Sequence, residues 1–150
     1  MRSFGLSMLI AISLPACAVD GGRIMQDEQL EAAGSEAVQA GDFGRAIEMV
    51  LPMAAAGDPE AEFAVGDLAI LWLEADAPKE PPKYTLDEAV VWIRKAAAKG
   101  LPQAAGFLRS GYEWGRYTLP KNAELAGCWR RVEDGEQDAN VCLAAEESVN

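Results

Sequence analysis

The sequence predicts an all-α protein built of antiparallel helix pairs, and three observations predict it. Gly57-Asp58-Pro59-Glu60-Ala61 recurs as Gly100-Leu101-Pro102-Gln103-Ala104, and small residues precede each copy (Ala54-Ala55-Ala56 and Ala97-Ala98-Lys99). Three segments open alike. Asp42, Thr85 and Asn122 each stand four positions before an alanine (Ala46, Ala89, Ala126), and three positions further on come Met49, Trp92 and Trp129. No segment carries the alternation of a strand. A period of roughly 35 to 45 residues with helical spacing inside it marks a helix-pair repeat, whose units bury their apolar stripes by stacking on neighbours.

The first residues stand apart. Arg2 supplies a short basic start, and Phe4 to Leu14 is an apolar run of secretory length, short of the ~20 residues that span a bilayer. After Pro15, the triplet Ala16-Cys17-Ala18 reads in two ways. Cleavage after Ala18 gives a soluble exported protein, whereas Leu14-Pro15-Ala16-Cys17 resembles the bacterial lipobox, with Cys17 acylated as the new N-terminus. The expected organisation is a signal peptide over 1–18, a tether over 19–24 and a helical domain over 25–147, a buried N-terminal helix being the alternative to export.

Within that domain, Met25 to Ala40 carries Met25, Leu30, Ala33, Ala37 and Val38 at amphipathic spacing and stops at Gly41. Asp42 caps the next helix, which runs through Ile47 and Val50 to Gly57. Asp58-Pro59 restarts the chain at once, since proline at a first helical position lacks only an N–H that would go unpaired there. The helix holding Ala61, Val65, Leu68, Ile70 and Leu71 dissolves into Ala77-Pro78-Lys79-Glu80-Pro81-Pro82. Thr85 and Glu88 form a capping box for the Trp92 helix. Gly100-Leu101-Pro102 repeats the stop and restart, and Gln103 to Trp114 leads through Gly115 and Pro120 into a helix from Asn122 to Val132. Gly135 ends that helix, and Asp138 opens a last one holding Cys142 and Leu143. The sum is three helix pairs with a C-terminal capping helix.

The run Ala61…Leu68…Asp87-Glu88-Ala89-Val90-Val91-Trp92-Ile93-Arg94-Lys95-Ala96-Ala97-Ala98-Lys99-Gly100 resembles the Sel-1-like repeat, a relative of the tetratricopeptide repeat. Ala104, Leu108, Tyr112, Gly115, Ala126 and Trp129 continue the pattern, with one extra residue before Ala126. Residues 42 to 57 keep its second-helix half, with Met49 in the place of tryptophan. The resemblance implies a right-handed α-solenoid whose first helices line a concave face, in a scaffold or regulator of the kind found in bacterial envelopes. It places Trp92 and Trp129 in the core between pairs. Trp72 and Trp114, beside loops, are expected to be half-exposed, an anchor in a partner's pocket being the alternative for each, and the Glu74 to Lys83 loop is either a recognition element or a tolerated insertion.

Composition narrows the chemistry. The 150 residues include no histidine, which removes Ser-His-Asp and Cys-His pairs, the HExxH zinc motif and the imidazole general base. There is no Ser-x-x-Lys, Gly-x-Ser-x-Gly or glycine-rich phosphate loop. The abundant carboxylates have structural explanations: Asp42 and Asp58 as caps, and Glu60, Glu62, Asp87 and Glu88 as first-turn acids favoured by the helix dipole. The reading assigns no catalytic residue, no metal ligand and no cofactor.

Formal net charge is −11, and from Glu133 onward six acids stand without a Lys or Arg. Such a surface repels nucleic acid and anionic membranes and steers a basic protein or peptide towards it, leaving a lipid on Cys17 as the membrane connection. Removal of Cys17 with the leader, or its acylation, leaves Cys128 and Cys142, an even pair in an oxidising compartment. They are expected to be disulfide-bonded, two separate buried thiols being the alternative. The leading expectation is a periplasmic or outer-membrane lipoprotein adaptor of a Gram-negative bacterium, binding its partner through Glu62, Asp67, Arg109 and Glu113 on first helices. A periplasmic immunity protein against a toxic enzyme is the alternative, and a cell-wall hydrolase a remote one.

Overall fold

Why the helices start and stop where they do is visible in the hydrogen bonds of the computed structural model, which describes residues 32–149. Among the described residues all regular structure is helical: α1 (32–39), α2 (Phe43–Ala55), α3 (Pro59–Glu74), α4 (Leu86–Ala98), α5 (Pro102–Trp114), α6 (Ala123–Glu133) and α7 (Ala139–Val149). The expected signal peptide, the tether, Cys17 and the first part of the Met25 to Ala40 helix lie outside them. The Asp42 side chain accepts from the Arg45 N–H, Asp58 from Ala61, and Asn122 from Glu124 and Leu125. Both halves of the Thr85–Glu88 capping box form. α5 starts without a side-chain cap, at Leu101 with Pro102 next.

The repeated glycine motif has a shared physical basis. Gly57 (φ 92°) and Gly100 (φ 83°) both take the left-handed conformation that a Cβ disfavours. In each case the glycine N–H reaches back to a carbonyl (Ala54 or Ala97), and the following N–H reaches further back, to Met53 or Ala96. This paired pattern satisfies the last carbonyls of the helix and turns the chain so that a Pro-led helix can begin antiparallel to it.

Successive helices pack in order, α2 on α3, α3 on α4, α4 on α5, α5 on α6 and α6 on α7, and α7 also reaches α4. The contacts are close because they are made of small residues: Ala69, Ala89, Ala96, Ala97, Ala104 and Ala105 are fully buried. Gly66 marks the closest approach. A Cβ there would stand 2.6 Å from Ile93 Cγ1 and 2.7 Å from the Ala89 carbonyl oxygen. Trp129, Ile47, Ile93 and Leu108 supply the bulk of the core. The last helix runs past Glu147 to Val149 and is bonded to α6 through the Cys128–Cys142 disulfide.

Two tryptophans differ from expectation. Trp72 is a core residue, 1% exposed, lying over Gly44 with its indole N–H donating to the Glu80 carbonyl at 2.7 Å. Trp92 is only half-buried, and its ring carries the Lys95 ammonium 3.9 Å from the centroid. Ile93, one position on, takes the core place instead, because the surface of α4 that meets Gly66 is the one that bears Ala89 and Ile93. Trp114 is 64% exposed.

Candidate interaction surface

The four charged residues expected to face a partner fall into three settings. Glu62, in the first turn of α3, is 4% exposed. Its Oε1 accepts from Lys99 Nζ at 2.7 Å, and the same ammonium donates to the Gly57 carbonyl at 2.8 Å. Glu62 thus fastens the start of α3 to the end of α4 and presents almost no surface. Its Oε2 has no hydrogen-bond partner among the described residues.

Arg109 and Glu113 are brought together, one helical turn apart on α5, with Arg109 Nη1 donating to Glu113 Oε2 at 2.9 Å. A third residue completes the group: Glu133 at the end of α6 accepts from Arg109 Nε at 2.6 Å. Glu133 passes over Gly106, where a Cβ would meet its Oε1 at 2.7 Å. The Glu133 hydrogen bond, helped by the charges of both glutamates, outweighs partial burial and raises the Arg109 guanidinium above its ordinary range. Sequence spacing shows the Arg109–Glu113 pair but not Glu133, which arrives from another helix.

Asp67 stands in neither group. It lies in the wall of a groove of about 310 Å³ between α1, α2 and α3, beside Val38, Val50, Met53 and Leu68. It is the one charged residue of that lining and has no ion pair or hydrogen bond among the described residues. Burial raises its carboxyl above the usual carboxylate range, and the charge of Glu74, two turns along the same helix, adds to the shift. The groove was missed in the sequence, since no motif marks a surface assembled by three helices.

A second cavity, of about 210 Å³, is polar and lies where α7 crosses α4. Glu146, 5% exposed, accepts from Arg94 Nε at 2.7 Å and from the Trp129 indole N–H at 2.8 Å. Arg94 Nη2 also meets the Tyr112 hydroxyl at 3.2 Å. Burial pushes the Tyr112 hydroxyl up to about 12, with the Arg94 bond offsetting part of the effect. Arg94 and Glu146 answer each other, and Glu146 also holds the Trp129 indole, so the cluster rivets α7 to α4 and α6. Tyr117 and Thr118, at the rim, hold the left-handed conformation (φ 57° and 63°), and Tyr117 stacks on Phe107 at 4.7 Å.

No family model, curated protein or solved structure matches the chain. No helix among the described residues is long and apolar enough to cross a membrane. Ala61, Ala89, Ala96, Ala97, Ala104 and Leu108 are buried at helix contacts, whereas Leu68 and Trp92 are half-buried.

Proposed function

We propose that the chain is an envelope-located adaptor or regulator of Sel-1-like repeats, an α-solenoid that binds a protein or peptide through charged side chains of its first helices. One observation carries the reading: Asp67, on a first helix and half-buried, is left without a countercharge among the described residues. Other part-buried charges, Glu62, Arg94, Arg109, Glu133 and Glu146, are all paired. A desolvated charge without a partner is an uncommon thing to retain unless a partner supplies the countercharge. The Arg109–Glu113–Glu133 group on the α5–α6 pair supports the reading as a rim, of the kind that sets association rate and orientation more than affinity.

The test is affinity capture by the full chain from intact envelope after mild crosslinking. A specific protein should be retained, and its binding should weaken as salt rises. Recovery of nothing beyond what a heat-denatured sample retains overturns the reading.

A further inference from the structure

We propose that the groove between α1, α2 and α3 receives an amphipathic segment of a partner protein, whose apolar side chains lie against Val50, Met53 and Leu68 and whose Lys or Arg pairs with Asp67. The inference rests on the adaptor reading and names the site and the partner chemistry within it. The apolar half follows from the walls. Val38, Val50 and Leu68 are only half-buried and Met53 is 36% exposed, so three helices leave an apolar strip uncovered by any described residue.

The cationic half follows from Asp67. An occupant without a positive charge would strip the remaining water from this carboxylate and give nothing back, a cost of the kind that excludes unpaired charges from interiors. An occupant with a Lys or Arg at that place meets a carboxylate already partly desolvated, where an ion pair is stronger than at an open surface. Glu74 deepens the negative potential at the same spot, as its effect on Asp67 shows. A second copy of this chain suits the groove poorly, because a net charge of −11 makes self-association repulsive. An amphipathic helix laid into an apolar groove is a common recognition mode, and the basic residue would fix its register.

The experiment uses the full chain and a displayed library of random 16-residue peptides, with selected peptides then measured by fluorescence anisotropy. The selection should enrich peptides with a Lys or Arg beside helically spaced apolar residues. Asp67→Asn should weaken their binding about tenfold or more, whereas Glu147→Gln, the same change of net charge elsewhere, should leave it unchanged. Bound peptide should also slow peroxide oxidation of Met53, read by mass spectrometry. The proposal is overturned if no such peptides are enriched, or if the two substitutions weaken binding equally. Met53 already protected before peptide is added overturns it too, since the chain's own residues 1–31 or a second copy would then fill the groove. A captured envelope partner that survives Asp67→Asn with Met53 still reactive removes the groove assignment and leaves the adaptor reading standing. Failure to capture any partner removes the adaptor reading itself.

Discussion

Gly66 shows how one residue can set the distance between two helices. Alanine is the better helix former by about 1 kcal/mol, so propensity alone favours Gly66→Ala. The added methyl would sit 2.7 Å from the Ala89 carbonyl oxygen, a backbone atom that cannot step aside alone. We expect Gly66→Ala to destabilise by about 1 to 3 kcal/mol, as overpacked cores do, measured by urea unfolding. Tyr112 gives a residue-scale prediction in pH. Its folded hydroxyl titrates at about 12 against an ordinary 10.0, so the unfolded chain ionises first. Stability from this group should be intact below about 10 and fall as pH rises from there towards 12, and Tyr112→Phe should remove that slope. Asp67 has the same sign in acid. Its raised carboxyl favours the folded state below the ordinary Asp range, and that advantage is lost as pH rises through the folded value. Asp67→Asn should therefore raise the melting temperature at neutral pH while it weakens partner binding.

Element boundaries were largely legible because they depend on neighbours in sequence. Asp42, Asp58, Thr85 with Glu88, and Asn122 cap through bonds to N–H groups two or three residues on, and a reader needs only that local window. What faces the core was less legible. Trp92 and Ile93 are adjacent, and the choice between them is made by Gly66 on another helix. Trp72 looked like a loop-side residue because its acceptor, the Glu80 carbonyl, belongs to the loop that folds back over it. The Arg109–Glu133 and Arg94–Glu146 pairs join residues that no spacing rule connects. The Cys128–Cys142 bond was reached by counting rather than geometry, and it ties the last helix to α6. A loop of this size is worth ~3 kcal/mol in the chain-entropy model. Cys142→Ser should lower the melting temperature by several degrees, and hydrogen exchange should show α7 protection falling first.

At the scale of the molecule, helix order was fixed by the recurring Gly-x-Pro turns, whereas the groove by Asp67 was hidden because it belongs to three helices at once. Net charge has a consequence here that local contacts lack. With −11 spread over the chain, like-charge repulsion opposes compaction at low salt. Moderate salt should therefore raise the melting temperature even as it weakens capture of the partner, two effects of opposite sign from one cause. The proposed export makes a separate claim on the whole chain. Native protein should begin at Cys17, with a lipid adduct, or at Val19, and intact-mass measurement distinguishes them. An intact Met1 would contradict both.

The segment between α3 and α4 holds three prolines and two lysines, and on composition alone it would be the natural place for a protease to enter. It is pinned at three points: the Trp72 indole N–H on the Glu80 carbonyl, the Lys79 N–H on the Gly41 carbonyl, and the Lys79 ammonium on Asp42 at 2.7 Å. A trypsin-like enzyme needs several residues in extended form on either side of the cut, and these anchors withhold them around Lys79. Cleavage after Lys79 should therefore act as a clock for the opening of the first three helices. Its rate in native buffer should follow urea concentration with the slope of a large opening event. Trp72→Phe, which fills most of the same volume but lacks the N–H, should flatten that slope and let the cut occur in the otherwise folded chain.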